Sequence, residues 1–289
     1  MKATLIGKTL RHSFSAEIHC SLGTEYDLTE LDEAALDAFM KNPPVACFNV
    51  TIPFKETVMP YLDELDESAK IVGCVNTVKI ENGKKIGYNT DIDGMAYLFA
   101  RAGVTLKNKT VTILGSGGTS KTARALAKRE GAKKVYLVSR KGEYNYDNIA
   151  TLTDTEILIN TTPVGMFPND GASAVDPAIF PSLEFVADPV YNPLRTYITE
   201  QARKIGVKAS CGLSMLVCQA IKAEEIWTNK SIAADVTEKI VSELAAQKDN
   251  IVLIGMPSCG KTTIGRLVAE KTGKAFVDLD EEIEKREGR

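Results

Sequence analysis

Lys109-Thr110-Val111-Thr112-Ile113-Leu114 is a continuous, β-branched apolar run, the pattern of a strand buried on both faces. It leads directly into Gly115-Ser116-Gly117-Gly118-Thr119-Ser120-Lys121 and then a helical stretch through Lys128. Strand, glycine-rich turn and helix in succession leave few folds open, because a parallel strand and its crossover helix require further strands beside them. The first glycine allows the tight turn. The second lets backbone amides, with Ser116 and Gly118 beside them, approach a pyrophosphate at the helix N-terminus. Small Ser120 stands where a third glycine is usual and still permits close helix–strand packing.

The required strands follow at Lys134–Val138, Glu156–Asn160, Phe185–Asp188 and Val207–Ser210, with a helix over Thr196–Ile205. Alternating strands and helices over 109–211 predict a parallel, doubly wound α/β domain. The second strand ends in Ser139-Arg140-Lys141, where an acid would hold the ribose 2′-hydroxyl of NAD. Two cations suit a 2′-phosphate instead, so the turn predicts NADP, with the planar fork of Arg140 as anchor. The loop from Thr161 to Met166 leaves a strand end well placed to touch a nicotinamide.

Upstream, Asn49-Val50-Thr51-Ile52-Pro53-Phe54-Lys55-Glu56 is a strand end expected to break at Pro53 and restart as a helix. That places Asn49, Thr51 and Lys55 at the mouth of a sheet, where open α/β sheets bind ligands. Lys55 can move a proton there if its pKa is brought down. Asn89-Thr90-Asp91 leaves another strand. Asp91 either caps a helix over Gly94–Ala102 or shares a ketone or hydroxyl with Lys55. Ser15 is a good N-cap for a helix over Ala16–Leu22. Ser13 and Ser15 either turn and cap the chain or point both hydroxyls into one pocket. Two helices, from Gly212 and from about Ser231 to Ala246, close this part. Gln219, on an apolar helix face, needs a polar ligand or a backbone carbonyl as partner.

After Asn250 the chain starts again. A strand over Ile251–Ile254 precedes Gly255-Met256-Pro257-Ser258-Cys259-Gly260-Lys261-Thr262, a G-x-x-x-x-G-K-[ST] phosphate loop before a helix to about Thr272. Gly255, Gly260, Lys261 and Thr262 are its functional positions. A strand over Ala275–Val277, the acids Asp278 and Asp280 and a charged helix follow.

At 289 residues, about two domains are expected. A net charge of -3 gives no reason to expect nucleic acid or a membrane surface as partner, and no apolar run approaches the roughly 18–20 residues of a span. Six cysteines without a C-x-x-C pair, and only two histidines, point to free thiols in a reducing cytoplasm and to no metal site in the main body.

Taken together, residues 3–247 resemble shikimate dehydrogenase. The resemblance rests on Ser13-Phe14-Ser15, Asn49 to Lys55, Val75-Asn76-Thr77, Asn89-Thr90-Asp91, Gly115 to Gly118, Asn160 to Met166, Asp188 to Pro193 and Gly212 to Gln219. Thr9 and Ala16 depart from it, standing where proline is usual. The resemblance implies a substrate domain (1–93, completed by helices 212–247) and a Rossmann-like NADP domain (94–211). It implies Lys55 and Asp91 as catalytic pair. Ser13, Ser15, Thr51, Asn76, Gln219 and Tyr191 would hold shikimate, and Gly115, Ser116, Gly117, Gly118, Arg140, Thr161 and Gly212 would lie on the cofactor. The implied reaction is reversible reduction of 3-dehydroshikimate by NADPH, in a monomer or homodimer. Alternatives are a quinate/shikimate enzyme using NAD or NADP, and a non-catalytic sensor of nucleotide and a shikimate-like ligand. Residues 248–289 resemble the start of shikimate kinase, where Asp278 would lie near magnesium and Asp280 on shikimate. So short a unit cannot bury a full α/β core, so the ATP and magnesium chemistry of the complete kinase is not expected here. ATP-dependent phosphorylation of shikimate would refute that expectation.

Overall fold

A continuous apolar run becomes a parallel strand, and a strand next to a tight turn becomes a hairpin; residues 1–242 contain one mixed sheet and one wholly parallel sheet. A computed structural model describes residues 1–10 and 13–288. His12 of the serine loop lies outside the described residues. The chain divides into two compact units, Met1–Ser242 and Glu243–Arg289.

The first sheet is built from β1 (Lys2–Gly7), β2 (Glu25–Glu30), β3 (Cys47–Val50), β4 (Glu64–Leu65), β5 (Thr77–Glu81) and β6 (Lys84–Tyr88), in the order β2-β1-β3-β5-β6-β4. β1 pairs parallel with both β2 and β3, while β3–β5 and β5–β6 are antiparallel. The β5–β6 hairpin turns at Asn82 (φ 52°) and Gly83 (φ 77°), the left-handed pair that an Asn-Gly turn favours. Helices α1 (Ser15–Ser21), α2 (Glu33–Lys41) and α3 (Glu67–Val72) join these strands.

The expected helix after Pro53 does not form. The chain makes successive turns and then a 3₁₀ turn at Met59–Tyr61. Phe54 and Val58 are both drawn into the core with Phe48 and Met40.

Helix α4 (Asp91–Ala102) leads to the second sheet: β7 (Thr110–Leu114), β8 (Lys134–Val138), β9 (Ile157–Asn160), β10 (Phe185–Asp188) and β11 (Lys208–Cys211), with helices α5 (Gly118–Arg129) and α6 (Tyr197–Lys204). All pairings are parallel and the order is β11-β10-β9-β7-β8. The order reverses between β7 and β9, so a crevice opens at their carboxyl ends. Helix α7 (Leu213–Thr228) returns to the first sheet and packs on α4. A Cβ at Gly94 would stand 2.5 Å from the Met215 carbonyl oxygen, so only glycine lets these helices approach so closely.

Helix α8 (Ala234–Lys248) follows, and then α9 (Lys261–Thr272) and α10 (Leu279–Glu287). The expected strands at 251–254 and 275–277 pair with nothing among the described residues. Ile251, Val252 and Ile254 are exposed. A strand is held by its neighbours' hydrogen bonds, and among the described residues neither segment makes them. The phosphate-loop turn is nonetheless formed: Gly260 adopts φ 87°, and Lys261 Nζ donates to the Gly255 and Met256 carbonyls. Thr262 Oγ1 donates to Asp278 Oδ2 at 3.3 Å, and Asp278 caps α10 through the Asp280 N–H.

Candidate active site

Lys55 leaves the turn after β3, and Asp91 opens α4. Their side chains meet, with Lys55 Nζ donating to Asp91 Oδ2 at 2.6 Å. The other oxygen, Oδ1, accepts from Asn76 Nδ2 at 2.9 Å. Thr90 and Gln219 complete a buried polar cluster. Gln219 Oε1 lies 3.4 Å from both Asn76 Nδ2 and Thr90 Oγ1, while its Nε2 donates to the Leu216 carbonyl at 2.8 Å. Its polar demand is thus met by a backbone carbonyl together with the cluster. Burial disfavours the Lys55 ammonium, but the charge and hydrogen bond of Asp91 outweigh it and hold the pKa above the ordinary lysine value. The sequence argument required a lowered pKa for Lys55. The structure shifts it the other way, which keeps Lys55 protonated at neutral pH.

The glycine-rich turn faces this pair. A Cβ at Gly118 would lie 3.6 Å from Lys55 Cδ and 3.8 Å from Cys74 Sγ. Gly115 has φ 108°, and a side chain there would strike Thr161 Oγ1 at 2.8 Å, so the turn needs glycine twice over. Gly117 opens onto free space, with nothing within 4 Å of an added Cβ. Ser120 packs with almost no exposure, as its small size allows, and its hydroxyl finds no partner. One cavity of about 860 Å³ is lined by Lys55, Ser116, Gly117, Gly118, Arg140 and Thr161 among others. It sits at the β7/β9 reversal.

Some expected site residues stand elsewhere. Asn49 is buried, and Tyr26, Thr77 and the Asn76 carbonyl satisfy its amide, so it is not open to a ligand. Ser15 is the first residue of α1 and not its cap; Phe14 holds that place, and Ser13 Oγ accepts from the Ser15 N–H at 3.2 Å. Phe14 packs on Tyr191 with ring centroids 5.2 Å apart, and Ser13 faces the Tyr191 phenol. Thr51 is half-buried beside Gly7. Gly212 does not line the cavity. It lies against the backbone of the 188–193 loop, where an added Cβ would be 1.9 Å from the Pro189 oxygen.

That loop is tied down by Asp188. Oδ1 accepts from Asn160 Nδ2 and from the Val190 N–H, each at 3.1 Å, and Asn160 in turn accepts from the Thr162 N–H and hydroxyl. The second oxygen of Asp188 is buried without a hydrogen-bond partner. Burial pushes this carboxyl up to about 6. The fold therefore favours the neutral form. That contribution is complete below the unfolded value near 4 and is lost as the pH rises through 6. Asp188→Asn is expected to be more stable than the parent at pH 8, by up to about 3 kcal/mol, with the gain vanishing toward pH 4. Urea midpoints across this range measure it, and a pH-independent difference would contradict it.

Comparison with known proteins follows this geometry. Residues 5–78 match the profile described as the shikimate dehydrogenase substrate binding domain, and residues 257–289 match the one described as shikimate kinase. The chain is 36% identical over 262 residues to the shikimate dehydrogenase (NADP(+)) of Clostridium perfringens, covering 83% of this chain and 97% of that protein. The chain belongs to the shikimate dehydrogenase family. The crystal structure of shikimate dehydrogenase 1 from Peptoclostridium difficile matches with a TM-score of 0.80 and 34% identity, over 86% of this chain and 99% of that one. A second, from Thermus thermophilus in complex with NADP(H) and shikimate, matches with a TM-score of 0.76 and 26% identity, over 84% and 99%.

For a shikimate dehydrogenase family member, sequence reasoning overlooked two residues at this site. Thr90 has no distinguishing pattern within Asn89-Thr90-Asp91, yet its hydroxyl and N–H both bind Asn76. Tyr146 lines the cavity with Arg140. It sits in an irregular segment after β8 with no motif of its own, so no local signal could have found it. Cys74 lies beside Lys55, but burial pushes its thiol up to about 11, which leaves it protonated and unreactive at neutral pH. Among the described residues no helix is long and apolar enough to cross a membrane.

Proposed function

We propose that this chain catalyses the reversible, NADP-dependent reduction of 3-dehydroshikimate to shikimate. The observation that carries the reading is the 2.6 Å Lys55–Asp91 pair facing the glycine-rich turn across one cavity. Residues 94–211 would form the cofactor domain, and residues 1–93 with 212–247 the substrate domain. The turn fits a dinucleotide: Gly115 carries the backbone past Thr161, Gly117 leaves open space before the α5 N-terminus, and Arg140 is exposed at the rim. Gly115, Ser116, Gly117, Gly118 and Thr161 would hold the pyrophosphate and nicotinamide side and Arg140 the 2′-phosphate, with Gly212 fixing the 188–193 loop. When bound, NADPH supplies the hydride.

The chain's own groups would do the rest. Lys55 gives a proton to the forming alkoxide, and its charge stabilises the negative oxygen before transfer. Asp91 hydrogen-bonds the same hydroxyl and aims the ammonium. Asn76 and Gln219, buried together, together with Ser13, Ser15, Thr51 and Tyr191, hold the remaining hydroxyls and the carboxylate.

Initial rates with shikimate and quinate, each with NADP and NAD, test this reading. Shikimate with NADP is expected to be the best pair; no shikimate-dependent NADPH formation would refute catalysis. Arg140→Ala is expected to weaken NADP about 10- to 100-fold, the worth of one charge-assisted phosphate contact, and to leave NAD nearly unchanged. Equal losses for both cofactors would remove Arg140 from the 2′-phosphate.

A further inference from the structure

A file of buried hydrogen bonds runs from Tyr26 to the Asp91 carboxylate, and the orientation of both of its amides is determined. Asn76 Oδ1 accepts from the Thr90 N–H at 2.8 Å, a group that can only donate. The amide nitrogen of Asn76 must therefore face Asp91, where it donates at 2.9 Å. Asn49 Nδ2 donates to the Asn76 carbonyl at 3.1 Å, a group that can only accept. Asn49 Oδ1 is thus the acceptor for the Tyr26 hydroxyl at 2.7 Å, and Asn49 Nδ2 also donates to Thr77 Oγ1 at 2.9 Å. Having accepted there, Thr77 can send its single proton to Asn76 Oδ1 at 3.1 Å. Tyr26, Asn49, Thr77 and Asn76 are all buried, Thr77 completely.

We infer that Thr77 is a positioning residue for the Lys55–Asp91 pair, acting through Asn76. Its hydroxyl, which also lies 3.3 Å from Thr90 Oγ1, and the Thr90 N–H both hold Asn76 Oδ1 and so oppose rotation of the amide. The opposite end of that amide fixes the Asp91 oxygen that Lys55 does not use. Without it, Asp91 can swing about its side chain and carry Lys55 with it. Misplacing a reacting group by about 1 Å can cost up to 10²-fold in rate. Thr77 itself is sealed from the cavity, so it touches neither ligand. The inference rests on Lys55 and Asp91 being the reacting pair.

Thr77→Val keeps the shape and removes the hydroxyl; Thr77→Ser keeps the hydroxyl. The full chain is assayed for shikimate oxidation with NADP across pH, with melting temperatures alongside. Thr77→Val is expected to lower kcat about tenfold, to shift the pH–rate profile and to leave KM for NADP within twofold. Thr77→Ser is expected to restore both kcat and the profile. Tyr26→Phe, one link further out, is expected to lower kcat two- to threefold. If Thr77→Val melts lower but keeps the parent kcat and pH profile, or if serine rescues nothing, the inference is overturned. Should Thr77→Val not fold, a parent-like kcat in Tyr26→Phe overturns it as well. Lys55→Ala, run in parallel, separates the two failures. If it keeps its turnover, the reacting pair and the inference fall together; if it is inactive while Thr77→Val is normal, the inference falls alone.

Discussion

Replacing Lys55 with alanine is expected to lower kcat for shikimate oxidation by about 10²- to 10⁴-fold, the usual worth of a positioned proton-transfer group. KM for shikimate should change far less. Lys55 has one charged partner, Asp91, and its side chain is only 14% exposed. Its stem passes Gly118 and lines the cavity, and in the proposed reaction its ammonium would face the carbonyl oxygen. Its raised pKa keeps it protonated at neutral pH, ready to donate in the reducing direction. Substrate hydroxyls and the carboxylate are left to other groups, so binding should survive the loss. Steady-state rates in both directions check this, and near-native turnover would end the assignment.

The largest expected effect on stability lies away from the cavity. His19 and Glu224 are both buried where α1 and α7 meet the first sheet. Glu224 accepts from Thr24 Oγ1 at 2.9 Å and lies 2.6 Å from His19 Nδ1. The His19 ring stacks on Tyr26, with centroids 4.2 Å apart and planes 6° from parallel, and lies 5.2 Å from the Trp227 ring. Trp227 in turn donates to the Val78 carbonyl at 3.1 Å. His19 Nε2 already lacks a partner, so Glu224→Ala would strip the ring of its only hydrogen bond among the described residues and orphan the Thr24 hydroxyl as well. Two unpaired buried groups and a cavity together should cost about 3–5 kcal/mol. In a unit of this size that lowers the melting temperature by roughly 10 °C. Glu224→Gln keeps an acceptor and should lose less than half as much. A Glu224→Ala protein melting within 2 °C of the parent would show that the pair contributes little.

Much of the second sheet was legible because buried parallel strands are continuous apolar runs. Lys134–Val138 and Phe185–Asp188 form over the residues expected. The first lobe was less so. Ser15 has the composition of a cap, but the helix starts at it, since Phe14 is held against Tyr191 by packing that no local pattern encodes. Asn49 looked like a ligand group because it stands at a strand end. Its side-chain direction depends on Tyr26 and Thr77, which reach it from neighbouring segments. At the other end of the chain the apolar pattern at 251–254 is that of a strand, yet a strand without neighbours has no ladder.

Sequence alone determined the chemistry on offer. It named a lysine and an aspartate at strand ends, a glycine turn of the kind that phosphate-binding backbones use, and a basic residue where NAD-type sites carry an acid. Those follow from residue type and short-range spacing. Tertiary structure decided which of these groups meet and in what state. Lys55 and Asp91 are 36 residues apart along the chain and 2.6 Å apart in space. The pKa of Lys55 depends on the balance between burial and that one contact. Neither quantity exists until the turn after β3 and the start of α4 are packed against the same core.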